Sequence, residues 1–520
     1  MASAGAGVGE VRLADVFASL SLATDLGNGF PLEKALRNSL LATRLAAMAG
    51  MDERLVHDAY FVAMLRYIGC TALDYEMGSS FGDAVAARAL FASLDMGRPG
   101  QAVPQVLAHL GEGEAPARRA AILARFIGSG KRGRERLQAT ECEVVARFSV
   151  RLRLGEGVAA PLGQMFERWD GKGVPAGLSG DAIEPVARVV HVAHAAEIYY
   201  RLGGADEACQ FLQAGSGGWF DPALVTVFAG HAGELLGALG PDSVWDAALA
   251  AEPAPHLTVP AERLEDLTAA FADFVDLKSP FLLGHSSRVG RVAAAAAEAA
   301  ALAAAEVDVL RQAGRLHDLG RLSVANSVWD KAGPLSAAQW ERVRLHPYYS
   351  ERVLSASPVL ARLGRLVGAH HERLDGSGYY RGSSGSALPL AARFLAAADA
   401  LAAMTEPRGH RPARPMQEAA AELAAGANAG LFDRDAVAAV CQVAGVPVVV
   451  RSNWPAGLTD REVEVLRLLA RGAQRKQVAR RLGIGVGTVH THVSHIYEKI
   501  GVNSRAAAAL FAMEHQLLEP

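Results

Sequence analysis

The spacing of apolar positions predicts helices along most of the chain. Five segments of the middle third follow the helical period: residues 264–275, 286–309, 335–354, 363–371 and 393–404. Alanine, the strongest helix former, is abundant, while aromatic residues make up only 6% of the chain. An alanine-rich stretch with three prolines at 247–262 predicts a boundary between the first and middle parts. The pattern therefore predicts an all-α protein of several domains.

Residues able to bind metal ions are concentrated in the middle third. Seven of them offer imidazole nitrogens or carboxylate oxygens: His285, His317, Asp318, His346, His370, His371 and Asp399. Mixed nitrogen and oxygen ligands suit iron, manganese or zinc better than calcium, which prefers oxygen alone. A lone histidine is more often structural, but seven such residues within roughly 115 positions indicate a metal site. A carboxylate can bridge two metals, and a two-metal centre serves phosphoester cleavage.

The order of these residues resembles the HD-GYP family, whose members are metal-dependent phosphodiesterases that cleave cyclic di-GMP. The family pattern is an opening histidine, HDxGK, HP, HHExxDGxGYP and an alanine–aspartate pair. Its counterparts here are His285, His317 to Arg321, His346-Pro347, His370 to Tyr380, and Ala398-Asp399. The resemblance covers residues 263–445. Arg321 replaces the lysine, Tyr380 replaces the proline, and Phe281 stands where some members carry an acidic ligand to a third metal.

The resemblance implies a metal-dependent phosphohydrolase domain at 263–447. Asp318 would bridge two divalent ions, iron or manganese before zinc or magnesium, and would act in catalysis with Arg321. One ion would take His317, Asp399 and His285, and the other His346, His370 and His371. The family's phosphate-contacting positions fall on Arg408 and Arg411, whose guanidinium groups match phosphate oxygens. A solvated basic loop is the alternative for these two arginines.

The first 246 residues contain a diverged copy of the same pattern. Several positions match residues 251 places later: Asp25, Leu26, Phe30, Arg37, Leu65 and Gly69. Residues 167–173 and Arg188 match residues 205 places later. The difference, 251 − 205 = 46 residues, predicts an insertion in the first copy between Gly78 and Gly133.

The first copy lacks the metal ligands of the second. Its replacements are Lys34 for His285, Arg66-Tyr67 for His317-Asp318, Met165-Phe166 for His370-His371, and His194 for Asp399. Cations repel a divalent metal and a phenyl ring has no lone pair to give. Residues 1–246 are therefore predicted to form a degenerate HD-GYP-like domain that could still hold a ligand or a partner. His57-Asp58 lies nine residues before the aligned position, so we interpret it as a surface pair on a helix.

Residues 457–520 show a different pattern of short helices separated by glycines. Thr459 and Glu462 form a capping box at the start of the first helix, and Gly483 separates the second helix, 476–482, from the third, 488–500. Such an arrangement is typical of a helix-turn-helix, whose second element enters the major groove of DNA. A plain four-helix bundle is the alternative. The runs Leu458 to Leu466 and Thr488 to Arg505 resemble the LuxR-type DNA-binding domain.

This second resemblance implies double-stranded DNA as a partner and pairing of two chains through the last helix, hence a homodimer. Five cations without an acid between them, from Arg471 to Arg481, form a predicted phosphate-facing patch. A solvated basic face is the alternative. The predicted DNA-binding residues are Arg471, Arg475, Lys476, Val486, Thr488, Val489, His490, Thr491 and Lys499. Gly485 and Gly487 reduce the side chains available for base contacts, so the operator cannot be guessed.

Composition narrows the interpretation only slightly. The 52 basic and 55 acidic residues give a net charge of −3, so any polyanion must bind a local patch. The N-terminus lacks the features of a secretory signal, and no apolar run reaches the roughly 18 residues of a membrane span. Four scattered cysteines fit a reducing compartment. We therefore expect a cytoplasmic protein that does not bind membranes.

Two functions remain open from the sequence. In the first, a LuxR-type transcription regulator is coupled to an HD-GYP module that senses or hydrolyses cyclic di-GMP or a related phosphoester. In the second, the protein is chiefly a cyclic di-GMP phosphodiesterase, and DNA binding is secondary. Bound metal without turnover would favour the sensor, and fast turnover with weak DNA affinity would favour the enzyme.

Overall fold

Helices dominate the computed structural model, which describes residues 10–94, 99–240, 243–448, 454–515 and 517–518. The first part contains α1 (Leu13–Gly27), α2 (Lys34–Met48), α3 (Glu53–Leu65), α4 (Asp74–Phe81), α5 (Ala84–Ala92), α6 (Pro99–His109), α7 (Pro116–Arg151), α8 (Glu156–Leu162), α9 (Pro185–Gly215), α10 (Pro222–Gly230), α11 (Ala232–Gly237) and α12 (Val244–Ala250). The middle part contains α13 (Arg263–Asp276), α14 (His285–Ala299), α15 (Ala304–Leu316), α16 (Asn326–Trp329), α17 (Ala337–Arg344), α18 (His346–Ser355), α19 (Ala361–Val367), α20 (Leu390–Thr405), α21 (Met416–Asn428) and α22 (Arg434–Val443). The C-terminal part contains α23 (Asp460–Ala470), α24 (Arg475–Leu482), α25 (Val486–Ile500) and α26 (Arg505–Glu514).

The predicted all-α class is confirmed, apart from one short pair of strands. β1 (Glu10–Arg12) and β2 (Thr258–Pro260) run antiparallel, with Val11 opposite Val259. β2 lies inside the predicted boundary at 247–262, so this segment is tied to the start of the described chain. No helix among the described residues is both long enough and apolar enough to cross a bilayer.

The two copies share one hydrophobic core. Phe17 of α1 makes edge-to-face contacts with Phe61 of the first copy at 6.1 Å and with Phe271 of the second at 6.4 Å. Helix α1 also packs on the 3₁₀ turn Leu319–Ser323 and on α18. Helices α23–α26 pack around a separate hydrophobic core of their own.

Equivalent contacts recur in the two copies at the two sequence offsets. Asp25 accepts a hydrogen bond from the backbone of Ala35, and Asp276 accepts one from Ser286, 251 residues later. Glu167 accepts from the backbone of Ala176 and Leu178, and Glu372 accepts from the residues 205 positions further on, Arg381 and Ser383. These contacts support the internal repeat; the limits of the two domains stay predictions. The predicted insertion, between Gly78 and Gly133, falls within the segment that forms helices α4 to α7.

Three predicted helices differ from the structure. The run 286–309 is two helices, because Ala301 adopts a left-handed conformation with φ of 58° and the Leu302 N–H bonds back to Ala297. The run 335–354 is also two helices, and a new one starts at His346 with Pro347 in its first turn. The helix at 363–371 ends at Val367, and the histidine pair follows in the next turn.

The interpretation of His57-Asp58 as a surface pair was wrong. The pair lies on helix α3, as expected, but the side chains are only 15% and 12% exposed because this helix packs into the shared core.

Candidate metal centre and DNA-binding helix

Three buried histidines are oriented in the same way by the ends of their helices. Nδ1 of each lies at 2.6–2.7 Å from a backbone carbonyl three residues earlier: His317 to Gly314, His346 to Val343, and His370 to Val367. A hydrogen bond at Nδ1 fixes the tautomer and leaves the Nε2 lone pair free for a metal ion. The local fold therefore directs three nitrogen ligands toward the carboxylate of Asp318.

Asp318 lies between two sets of histidines. Its Oδ1 faces Nε2 of His346 at 3.4 Å and Nε2 of His370 at 3.9 Å. Its Oδ2 faces Nε2 of His317 at 3.5 Å and Nε2 of His285 at 3.9 Å. The two oxygens thus point to different sides of the centre, which is the geometry of a carboxylate that can bridge two ions.

The remaining predicted ligands complete both sides. Asp399, on α20, places Oδ1 at 3.4 Å from His285 Nε2 and 3.6 Å from His317 Nε2. His371 lies against His346, with ring centroids 4.9 Å apart, and stacks on Tyr379. The structure therefore brings all seven predicted ligands together in overlapping groups whose ligand atoms lie within 4.8 Å of one another. This mixed nitrogen and oxygen set fits iron, manganese or zinc.

The electrostatics of the centre favour the metal-binding protonation states of Asp318 and His370. Burial alone would raise the pKa of Asp318, but the neighbouring His317 and Arg321 hold that pKa well below its usual range. Burial and the charge of His317 lower the pKa of His370 to about 3, so its imidazole is neutral. His285 differs: burial opposes its charge, but hydrogen bonds to two carboxylates raise its pKa to about 9. A metal ion must displace that proton.

One of these carboxylates was missed in the sequence. Glu406 places Oε2 at 2.8 Å from Nδ1 of His285, the ring nitrogen that faces away from the centre. Such a partner outside the ligand set orients a metal-binding histidine and makes it a stronger ligand. The sequence offered no local signal for this contact, because Glu406 lies just past Thr405, the last residue of α20, in extended backbone where the helical repeat no longer holds.

The predicted phosphate-binding arginines behave differently from one another. Arg321 lies beside Asp318, with Nη1 3.2 Å from Oδ2, and its guanidinium stacks on Trp329 at 3.8 Å. Arg408 is largely buried near the centre and pairs with Glu406 at 3.3 Å. Arg411 was assigned wrongly, because its guanidinium donates to the backbone carbonyls of residues 403, 404, 406 and 412. It therefore holds the chain at the end of α20.

A polar network replaces the metal centre in the first copy. Lys34 Nζ donates to the Tyr67 hydroxyl at 2.8 Å, and that hydroxyl lies 2.7 Å from Nδ1 of His194. Glu141 stands 205 residues before His346 and so occupies the position of that ligand in the first copy. The geometry supports it: a Cβ on Gly69 would approach the Glu141 carbonyl, just as a Cβ on Gly320 would approach that of His346.

The helix-turn-helix forms as the glycine pattern predicts. Gly483 ends α24 with φ of 63°, and α25 then begins at Val486. The exposed residues among the predicted DNA contacts are Arg471, Arg475, Lys476, Val486, Thr488, His490, Thr491 and Lys499. Their contact with DNA stays a prediction.

One predicted base contact was wrong. Val489 is fully buried, because it continues the apolar stripe that Val493 and Ile496 form on the inner face of α25. Lys499 forms an ion pair with Glu462 at 2.6 Å and so holds the capping box of α23. The side chains left for base contacts lie near the start of α25.

Comparisons with known proteins agree with this picture. The protein-family model of the HD domain matches residues 139–224 and 269–436, so it covers part of each copy. The model of bacterial regulatory proteins of the luxR family matches residues 456–512. The 3'3'-cGAMP-specific phosphodiesterase 3 of Vibrio cholerae is 30% identical over 413 residues, which are 79% of this chain and 90% of that protein.

Two further comparisons extend the likeness. The cyclic di-GMP phosphodiesterase response regulator RpfG of Xanthomonas campestris is 33% identical over 31% of this chain and 43% of its own length. The crystal structure of a cyclic GMP-AMP specific phosphodiesterase of Vibrio cholerae, V-cGAP3, covers 85% of this chain and 99% of its own, with 27% identity and a TM-score of 0.60. Fold and site thus define the class of HD-domain proteins, whose phosphodiesterases depend on metal ions. The chain belongs to the HD-GYP family of phosphohydrolases and carries a LuxR-family DNA-binding domain at 456–512.

Proposed function

We propose that this protein is a LuxR-type transcription regulator that contains a metal-dependent phosphodiesterase for cyclic dinucleotides. The observation that carries the proposal is the position of Asp318, whose two oxygens face two separate sets of histidines. This supports two divalent ions, iron or manganese before zinc or magnesium, held by the seven predicted ligands. Two bound ions would supply activation of water and stabilisation of the oxygens of an in-line displacement.

The chain's own residues contribute ligand geometry and positive charge. The carbonyls behind His317, His346 and His370 hold the imidazoles in place before any ion arrives. Arg321 Nη1 lies 3.2 Å from Asp318 Oδ2, so its guanidinium brings positive charge to the edge of the centre. Arg408 adds a second cation near the centre. These two arginines are proposed to hold the phosphodiester.

The substrate is proposed to be a cyclic dinucleotide. The relative that matches along most of its length acts on 3'3'-cGAMP, whereas RpfG, which matches over a shorter segment, acts on cyclic di-GMP. Because the first relative spans both copies, 3'3'-cGAMP belongs beside cyclic di-GMP in any assay. A protein that regulates transcription meets its DNA in the cytoplasm, where we propose that it acts.

The test is hydrolysis by the purified full-length protein loaded with manganese or iron. We expect linear dinucleotide from 3'3'-cGAMP or cyclic di-GMP. Asp318→Asn should lower turnover by more than about 100-fold, since losing a partner outside the ligand set already costs about 10- to 100-fold. Tyr67→Phe, at the aligned position of the first copy, is the matched control and should keep activity. Metal-loaded protein that leaves both dinucleotides intact would contradict the enzymatic proposal.

DNA binding and pairing of two chains form the second part of the proposal. Leu510 and Met513 of α26 are 52% and 57% exposed, and this supports a homodimer formed through the last helix. Leu510→Glu should therefore give monomers in sedimentation, while Glu514→Gln, beside it on the same helix, should leave the dimer unchanged. Dimers that persist in Leu510→Glu would place the interface elsewhere.

A further inference from the structure

A cavity of about 330 Å³ lies where the first copy lacks metal ligands. Phe30, Tyr67 and Phe166 line it, and these are the residues that align with Phe281, Asp318 and His371 of the metal centre. The volume falls within the range of about 300–1,000 Å³ that is usual for small-molecule sites. The first copy has therefore exchanged a metal centre for a cavity at the same place in the fold.

The insertion supplies one wall of this cavity. Phe81, Phe91 and Phe126 come from α4, α5 and α7, and the rings of Phe91 and Phe126 lie nearly parallel at 14°. On another side, Tyr199 and Phe211 of α9 are also stacked at 14°. Aromatic faces at the boundary of a cavity favour flat ligands, because stacking is strongest between planar rings.

The polar groups of the cavity are few and of mixed character. Arg66 donates to the sulfur of Met165 at 3.0 Å and to its carbonyl at 3.3 Å, which are weak partners for a guanidinium. Nε2 of His191 is buried and has no hydrogen-bond partner within the described ranges. Burial and the Arg66 charge lower the pKa of His191 to about 3, so this imidazole is neutral. Burial raises the pKa of Glu141 to about 7.

Phosphate-rich ligands fit this lining poorly. Arg88 is committed to a buried ion pair with Asp74, and Lys34 is held by Tyr67 and Glu197 beneath the cavity floor. Among the described residues that line the cavity, only Arg66 is left as a cation, and Glu141 lies in the same cavity. A neutral ligand avoids the cost of bringing an anion beside this carboxyl group.

We propose that the cavity of the first copy binds a small, neutral, planar heteroaromatic molecule of the purine base or nucleoside class. Its ring would stack against the aromatic walls, a carbonyl or ring nitrogen would accept from Arg66, and an N–H would donate to His191 or Glu141. This site is separate from the metal centre and does not depend on the proposed hydrolysis.

Guanosine titrated into metal-free full-length protein, followed by calorimetry, tests the proposal. Guanosine has about 20 non-hydrogen atoms, and drug-sized ligands gain about 0.3 kcal/mol of binding free energy per such atom. The expected Kd is therefore on the order of 10–100 μM. Ala92→Trp, which fills the cavity from α5, and His191→Leu, which removes the acceptor, should each weaken binding at least about 10-fold. Ala86→Trp, on the exposed face of the same helix, is the matched control and should leave the Kd unchanged.

Two further variants separate this cavity from the catalytic centre. Asp318→Asn and Arg408→Ala should retain guanosine binding even though hydrolysis is lost. The proposal would be overturned if the titration shows no heat of binding up to about 1 mM guanosine while the same protein preparation, once loaded with metal, still hydrolyses a dinucleotide. It would also be overturned by an unchanged Kd in Ala92→Trp or by loss of binding in Arg408→Ala. If Ala92→Trp does not fold, His191→Leu decides.

Discussion

Replacing Gly320 by a residue with a side chain should disturb the metal centre and destabilise the fold. It follows Asp318 by two residues, donates its N–H to the Ser350 hydroxyl at 2.7 Å, and lies against the start of α18. A methyl group there would overlap the His346 carbonyl and would lie 2.6 Å from the backbone nitrogen of Ser350. Gly320→Ala must therefore move the Asp318 turn and α18, which carries His346, apart.

The size of the effect follows from this overlap. A carbon–nitrogen contact needs about 3.5 Å, so the two backbones must separate by roughly 1 Å, and overpacking of this kind costs about 1–3 kcal/mol. The stabilisation of about 0.4–1 kcal/mol that alanine gives through the unfolded state does not offset the upper part of that range. We expect a loss of about 2 kcal/mol and, for a cooperative unit that contains both copies, a Tm lower by roughly 2 °C.

Two matched glycines make the assay specific. Gly69→Ala creates the equivalent overlap with the Glu141 carbonyl in the first copy, so Tm should fall while metal content and turnover stay at wild-type levels. Gly333→Ala meets nothing within 4 Å and should change neither quantity. Calorimetry gives Tm, and elemental analysis of dialysed protein gives bound metal. Gly320→Ala protein with normal stability and full metal content would refute this reasoning.

Four other outcomes are expected. Asp74→Asn leaves the buried cations Arg88 and Lys278 without their carboxylate, so the free energy of unfolding in denaturant should fall by about 3–5 kcal/mol. Arg342→Ala breaks an exposed ion pair with Asp83 that also joins the two copies, and it should cost less than about 1 kcal/mol. Equal losses would contradict the role of burial. Glu406→Gln should weaken metal binding by about 10- to 100-fold, because His285 loses its orienting carboxylate. In wild-type protein, metal affinity should rise as the pH increases toward about 9, since the His285 pKa is about 9 without metal and the ion must displace that proton; a flat profile would show that this histidine is no ligand. Lys476→Ala should reduce the slope of log affinity for DNA against log salt by about 1, and an unchanged slope would remove this lysine from the phosphate contacts.

The candidate metal ligands could be predicted from the sequence because they follow the order of the family motifs, and most of them lie in short local motifs. A histidine near the end of a helix can place Nδ1 against the backbone carbonyl of the residue three positions earlier, as His317 and His370 do. The local chain therefore already sets the direction of the imidazole ring. Arg411 was misassigned because its surroundings depend on how the end of α20 packs, and its charge does not report that. Val489 was misassigned although its spacing from Val493 and Ile496 already favoured the buried face of α25.

The cavity of the first copy could not have been predicted in this way. Its walls come from α5, α7 and α9, whose residues lie more than 100 positions apart at the extremes, so only packing brings them together. The sequence indicated which ligands were lost, and it also indicated an inserted segment. It did not indicate that the insertion covers the place where those ligands would have been.

The first copy is therefore more than a remnant of duplication. Ser19 of α1 donates its hydroxyl to the Val353 carbonyl of α18 at 2.5 Å, and Lys278 of the second copy pairs with Asp74 of the first. Lys278 also donates to the Leu322 carbonyl in the turn that follows Asp318. The turn that positions Asp318 is thus packed against the first copy. Because one core joins the copies, the helices of the first copy support the elements that carry the candidate metal ligands.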